Sequence, residues 1–429
     1  MLDCPSLWCA VKANEEIHII GAGLAGLSAA VQLVEAGKCV RIYEATSSAG
    51  GRCRSFYDGR LERIIDNGNH LILSGNKSVM RYLELLGAEN ELKGPELAEF
   101  PFIDLADNSS WTVRPGSRAI PWSIFNSKWR IPGISIKNYY SIWRLSQATP
   151  SDTVGACFDT DGVIWHRFWR PIIVSVLNTD PAYASANLLW KTLKETFGLG
   201  EVACRPLLAV RSLSQALVDP ALSYLSGKSC KLDFNKRVRK IISEDQRVKG
   251  IETTDLVEIG ERDAVILSVP PYSAAQLAPN LIVPNTFQTI VNGHFRIEGR
   301  SPEANFIGVV GGMAEWLFVR GDVVSVTISA ANELSKISEV EIADKMWADI
   351  SSVFGLGSSN RGPSRVIKEK RATFEQTPEQ VARRPSARAE FTNMFLAGDW
   401  TDTGIPATIE GAVRSGIIAA NSALEYMEN

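Results

Sequence analysis

The amino-acid sequence predicts an α/β protein in which a Rossmann-type dinucleotide-binding domain, assembled from separate stretches of chain, carries an inserted α+β domain. Three observations predict it. Residues 17–44 read as strand, glycine turn, helix and strand; residues 394–426 read as a short strand, a glycine-proline turn and a long helix of small residues; and from about residue 96 the intervening chain becomes rich in aromatics. At 429 residues the chain exceeds one small core, so two or so domains are expected, interleaved rather than in series.

In the opening unit, Ile17, Ile19 and Ile20 form an apolar strand that runs into Gly21, Gly23 and Gly26, and residues 24–36 supply a helix-forming run ended by Gly37. Gly21 permits the tight turn, Gly23 lets backbone approach a pyrophosphate, and Gly26 lets helix pack on strand. The N–H groups of the first turn, at Leu24 and Ala25, then face the anion. Glu44 stands 18 residues after Gly26, where such folds place the carboxylate that binds the adenosine ribose. A second glycine turn follows Ala45, and its Gly50-Gly51-Arg52 sets an arginine beside flexible backbone, which suits a phosphate. Simple nicotinamide dehydrogenases lack that signature, whereas a large group of flavoproteins carries it beside the FAD pyrophosphate.

Residues 64–73 are two apolar stretches broken by the polar turn Gly68-Asn69-His70, a break that invites a ligand; His70 reads equally as a structural histidine. A helix is expected over 76–86, ended by Gly87. Phe100, Phe102, Trp111, Trp122, Phe125, Trp129, Tyr139, Tyr140, Trp143, Trp165, Phe168 and Trp169 then gather in one region. They predict either a helical subdomain core or a pocket for a large apolar substrate. Residues 163–174 mix large apolar side chains with arginines and suit a membrane interface as well.

Residues 207–217 and 220–225 read as helical, 230–242 and 247–252 as strand, and 263–269 as a buried strand closed by Pro270 and Pro271. Within 274–388, strands such as 323–330 and a helix over 340–354 are expected. No second glycine fingerprint in a βαβ context occurs there, so a separate nicotinamide site is not expected and the electron donor for a flavin stays unidentified. The domain limits predicted are 1–95, 221–273 and 389–429 for nucleotide binding, with 96–220 and 274–388 for substrate. In the last element the strand ends in Gly398-Asp399, placing Asp399 to bind a ribityl hydroxyl, and the helix after Gly404-Ile405-Pro406 runs from about Ala407 to Tyr426.

A net charge of -3 gives no reason to expect nucleic acid as a partner, and the basic stretches 361–371 and 383–388 read as solvated surface. Seven scattered cysteines without a CxxC pair suit a reducing compartment and no metal. No secretory leader or run of about 20 apolar residues is present, so a cytoplasmic protein is expected.

Together GAGLAGLSAA, Glu44, SSAGGRCRSF and LAGDWTDTGIPATIEGAVRSG resemble the FAD-dependent amine oxidase and phytoene desaturase superfamily from end to end. More narrowly, IDNGNHLILSGN, LNTDP, ACRPLLA and GDWTDTGIPATIEGAV resemble the hydroxysqualene dehydroxylases of bacterial hopanoid and squalene synthesis. The resemblance implies FAD as cofactor. Its phosphates would lie on residues 21–26, Gly51 and Arg52, its ribose on Glu44 and Ala45, and its adenine on the Val238 backbone. Gly68, Asn69, His70, Gly404, Ile405 and Pro406 would approach the isoalloxazine, with Gly398, Asp399 and Thr408 completing the cofactor set.

Amine oxidases of the superfamily usually carry an aromatic in the final turn; Ile405, Pro406 and Ala407 stand there instead and favour a hydrocarbon. The implied reaction replaces the hydroxyl of a hydrophobic triterpene by hydride, with His70 as first candidate for the proton donor or hydroxyl-orienting group and Asp402 as second. The partners implied are the upstream enzymes of squalene synthesis, with peripheral association at the inner membrane. The same fold also suits an oxidative carotenoid or phytoene-type desaturase, or a non-catalytic FAD-bound lipid carrier.

Overall fold

The structure, a computed structural model, describes residues 15–116, 131–133, 141–298, 305–357, 361–388 and 390–428. Trp122, Phe125, Trp129, Tyr139 and Tyr140 of the aromatic stretch lie outside the described residues.

A five-stranded, wholly parallel sheet forms the base, in the order Cys230–Asp233, Cys39–Tyr43, Glu16–Ile20, Ala264–Leu267, Met394–Leu396. Its strands come from the beginning, middle and end of the chain. The central strands are short apolar runs, as sheets covered on both faces require. The helix Leu24–Glu35 packs on the sheet beside the C-terminal helix Ile409–Glu428, which also contacts the sheet, and ten of its twelve residues are buried. Ser28, caught in that apolar seam, donates its hydroxyl to the Val413 carbonyl at 2.9 Å.

Above the base stands a seven-stranded sheet in the order Ser364–Phe374, Phe287–Arg296, Val323–Ile328, Trp316–Arg320, Phe306–Val310, Phe100–Asp104, Ser110–Val113. Strands from both intervening segments share it, joined by the parallel pairing of Phe306–Val310 with Phe100–Asp104; the other pairings are antiparallel. Side chains alternate across it. Leu317, Val324, Val326 and Ile328 pack under the helix Glu339–Phe354, while Trp316, Phe318, Ser325 and Thr327 point to the opposite face, toward the glycine domain and the aromatic lobe.

Four elements differ from the sequence reading. Residues 206–209 are a strand, paired with Ile72–Leu73 and Leu92–Lys93, because a short leucine run has no period that separates helix from strand. The helical stretch that follows, from Ser214 to Ser226, packs in the core of the glycine domain rather than in the aromatic lobe. Residues 230–242 are two strands of different sheets, Cys230–Asp233 and Lys240–Glu244, broken where Asn235 takes a left-handed φ of 55°. In the run 163–174, Ile164, Trp165, Trp169 and Ile173 point into the lobe core. Arg167 there pairs with Asp104 at 3.0 Å and Asp107 at 2.6 Å, so the aromatics of this run serve packing. No helix among the described residues is long and apolar enough to cross a membrane.

Candidate functional site

The glycine turn fits a diphosphate by what it leaves open. The first N–H groups of the helix Leu24–Glu35 have no intrahelical acceptor, and Gly23 at its N-cap carries no side chain to satisfy them. A Cβ at Gly23 would meet nothing within 4 Å. Gly50 and Gly51, both left-handed at φ 97° and 56°, bring the second turn against the first through Gly50 N–H to Ala22 O at 2.8 Å. Glu44 already grips this turn: its carboxylate accepts from Ala22 N–H at 2.9 Å and Thr46 N–H at 2.8 Å. Lys236 N–H bonds to the Glu44 carbonyl, which brings the 235–238 backbone and buried Val238 alongside Glu44 and the exposed Ala45.

Both ends of the chain meet at Arg52. Its guanidinium donates to the Asp399 carboxylate at 2.6 Å and to the Ala372 carbonyl, so it links the second glycine turn, the final turn and the edge of the seven-stranded sheet. Asp399 is buried and follows Gly398, whose φ of 149° permits the sharp exit from the strand.

The final turn is held by two residues that the sequence does not flag. Arg384 donates to the carbonyls of Asp399, Thr401 and Ile405 and to the Thr403 hydroxyl while only 7% exposed. It therefore departs from the solvated surface expected of 383–388; burial lowers its pKa to about 10, which leaves it charged at neutral pH. Gln376 is fully buried. Its amide donates to Leu177 O at 2.6 Å and accepts from Ala407 N–H at 2.9 Å, and its own N–H donates to Thr179 Oγ1 at 2.8 Å. The LNTDP motif at residues 177–181 thus buttresses Ile405, Pro406 and Ala407 from the lobe side. Gly404 precedes them with φ 79°, and Thr408 bonds Gly411 N–H to start the last helix.

The Gly68-Asn69-His70 turn lies against the polar strip of the seven-stranded sheet, with Asn69 Nδ2 3.1 Å from Thr327 Oγ1. Burial, reinforced by Arg52 and opposed by Asp66, pushes the His70 pKa down to about 4. Burial thus favours the neutral imidazole of His70 at pH 7. The second candidate, Asp402, is exposed, and its carboxylate accepts from Gly404 N–H at 3.2 Å; it shapes the turn from the solvent side. A carboxyl with no sequence signal stands out instead. Glu315 accepts from Ser329 N–H at 2.7 Å, its own N–H bonds to Thr327 O, and burial raises its pKa to about 7.

That shift fixes a sign. Glu315 is protonated in the folded protein at pH values where it ionises in the unfolded chain, so its contribution to stability is present below pH 4.5 and is lost as pH rises through about 7. Glu315→Gln keeps the acceptor for Ser329 and is expected to remove about 2 kcal/mol of pH-dependent destabilisation across that window. Urea titrations of both proteins at pH 5 and pH 8 measure it; an unchanged difference between the two pH values would contradict the assignment.

The cyclohexylamine oxidase of Brevibacterium oxydans has the same fold, with a TM-score of 0.71 at 14% identity over 97% of this chain and 100% of that one. The family model described as flavin containing amine oxidoreductase matches residues 24–424. Hydroxysqualene dehydroxylases of Sinorhizobium fredii and Rhodopseudomonas palustris are 42% and 40% identical, each over 96% of this chain and 98% and 99% of theirs. The chain belongs to the flavin-containing amine oxidoreductases, in their hydroxysqualene dehydroxylase branch. A probable zeta-carotene desaturase of Synechococcus elongatus is more distant, at 22% identity over 95% of the chain. Membership of this flavin amine oxidoreductase family makes FAD the cofactor. The open Gly23 position, the uncapped helix N-terminus and Glu44 are what its diphosphate and ribose require, and among the described residues no cluster that could hold a metal ion occurs.

Proposed function

We propose that this flavoprotein removes the hydroxyl of hydroxysqualene and gives squalene. The observation that carries the proposal is the 40–42% identity over nearly the whole chain to hydroxysqualene dehydroxylases. The residues support it. The final turn presents Ile405, Pro406 and Ala407 in place of an aromatic amine cage, and the aromatic lobe supplies surfaces suited to a long hydrocarbon.

In this reaction a C–O bond breaks, a proton joins the departing hydroxyl to make water, and a hydride forms the new C–H bond. Reduced FAD, when bound, supplies the hydride. The protein's share is orientation, a dry environment for the developing cation, and the proton. Glu315 is the carboxyl we assign to the last task, since burial raises its pKa to about 7 and so keeps a share of it protonated at neutral pH; neutral His70 suits orientation of the hydroxyl. Arg384 and Gln376 fix the final turn, so the wall it presents does not shift between turnovers. Because the triterpene is insoluble in water, we place the enzyme at the inner-membrane surface, where co-sedimentation with liposomes reads the association.

Anaerobic mixing of photoreduced enzyme with hydroxysqualene is expected to reoxidise the flavin in one phase and yield one squalene per flavin. Flavin that stays reduced, with no squalene formed, would remove the proposal; oxidation of a polyene by the oxidised enzyme would favour the desaturase reading. In the same assay His70→Ala is expected to slow the phase at least tenfold at unchanged FAD content, and equal loss of both would make His70 a cofactor residue.

A further inference from the structure

One polar strip on the inner face of the seven-stranded sheet anchors the 67–69 turn and leaves part of its hydrogen-bonding capacity unused. Asn69 Nδ2 donates to Thr327 Oγ1 at 3.1 Å, Thr327 Oγ1 donates to Asn292 Oδ1 at 2.9 Å, and Asn292 Nδ2 donates to the Asn67 carbonyl at 3.4 Å. Asn292 is 1% exposed and Thr327 9%. Its direction is fixed from one end. A carbonyl only accepts, so Asn292 must turn its NH₂ to Asn67 and its oxygen to Thr327. The Thr327 hydroxyl must then donate to Asn292, and its oxygen accepts from Asn69. Asn69 is left with one N–H and its side-chain oxygen unbonded among the described residues, a donor and an acceptor side by side. An alcohol needs that pair.

The surroundings are graded. Across the sheet, Trp316, Thr327 and Asn292 occupy directly opposed positions on three adjacent strands and so point to one face. Trp316 continues into Phe102 at 5.2 Å and Phe306 at 6.2 Å, and Phe102 stacks on Trp111 at 5.7 Å. Phe102, Phe306 and Trp111 are buried behind it, while Trp316 keeps part of its surface open, so a hydrocarbon laid against Trp316 would bring a hydroxyl to Asn69 and Thr327.

We propose that the Asn69–Thr327–Asn292 chain selects the substrate by binding its hydroxyl, so that the alcohol is held and the finished hydrocarbon is released. The proposal rests on the dehydroxylase reading. A site built to hydrogen-bond a hydroxyl rejects the analogue that lacks it, because its own buried polar groups are then left unpaired. Thr327 and Asn292 act here as specificity-determining residues, with Asn69, next to His70, as the group that touches the hydroxyl.

The test uses oxidised holoenzyme, which binds without turnover, and follows flavin absorbance during titration with hydroxysqualene and with squalene. The wild type is expected to bind the alcohol at least tenfold more tightly. Thr327→Val, nearly isosteric, is expected to bring the two affinities within about threefold by weakening the alcohol alone, and Thr327→Ser is expected to restore the preference. A wild-type preference that survives intact in Thr327→Val, with FAD content retained, would overturn the proposal and leave the dehydroxylase reading standing. A wild type without preference would overturn the proposal, while the dehydroxylase reading is decided separately by the anaerobic turnover. If Thr327→Val fails to load FAD, Thr327→Ser and Asn292→Asp decide: preference kept in Ser and lost in Asp supports the chain, and preference kept in both refutes it.

Discussion

Replacing Arg384 with Ala is expected to lower the melting temperature by roughly 4 °C and to abolish stable FAD retention. The guanidinium is buried and donates to three carbonyls and one hydroxyl of residues 399–405. Its removal leaves those acceptors without donors in a space that water does not readily enter, at about 1–3 kcal/mol for each unsatisfied group and some relief by rearrangement, so a net loss of about 4 kcal/mol is expected. The turn that presents Ile405 and Pro406 would then lose its fixed path. Lysine is a poor substitute, because a point ammonium cannot reproduce a planar fork spread over acceptors in different directions. Thermal denaturation of the deflavinated and loaded proteins, with flavin counted by absorbance, reads both effects. A loaded Arg384→Ala protein melting within 2 °C of wild type would refute the clamp.

Glycines of the opening motif are expected to separate into two kinds when changed to alanine. A Cβ at Gly26 would stand 2.1 Å from the Gly21 carbonyl and one at Gly416 2.2 Å from the Ala25 carbonyl. Backbone atoms must move in both cases, so Gly26→Ala and Gly416→Ala are expected to cost more than about 3 kcal/mol and to yield insoluble or flavin-free protein, by the overpacking mechanism. Gly23 differs. Its φ of -72° and ψ of 176° suit alanine, and its Cβ would enter open space. Gly23→Ala should therefore leave the deflavinated protein's melting temperature within about 1 °C, while weakening FAD at least a hundredfold where the methyl meets the diphosphate. An equal loss of stability in Gly23→Ala would show that the position serves the fold alone.

These cases also mark what the sequence makes legible. Gly21 to Gly26 and Glu44 can be read because their roles are local: a turn, an uncapped helix start and one carboxylate at fixed spacing. Arg384 and Gln376 cannot, since their partners are backbone carbonyls and N–H groups, which carry no residue signature, brought near by the meeting of two domains. Thr327 and Asn292 are invisible for another reason. Each looks like an ordinary strand residue until the register of Phe287–Arg296 against Val323–Ile328 sets them opposite each other beneath Asn69. Glu315 needed depth: only burial raises its pKa. The misread helix at 207–209 and the surface position of Asp402 come from judging a short segment by composition, which neither strand pairing nor turn geometry respects.

The parallel base sheet also has a consequence for synthesis. Its last strand, Met394–Leu396, leaves the ribosome roughly 130 residues after Ala264–Leu267, an interval on the order of 10 s. Throughout it, the fully apolar Ala264–Leu267 strand presents a bare edge, the template on which neighbouring nascent chains would pair. Chaperone cover is needed most in that interval. The Gly416 contact with Ala25 arrives later still, so a stop codon before Gly416 removes the contact that the first-made helix awaits.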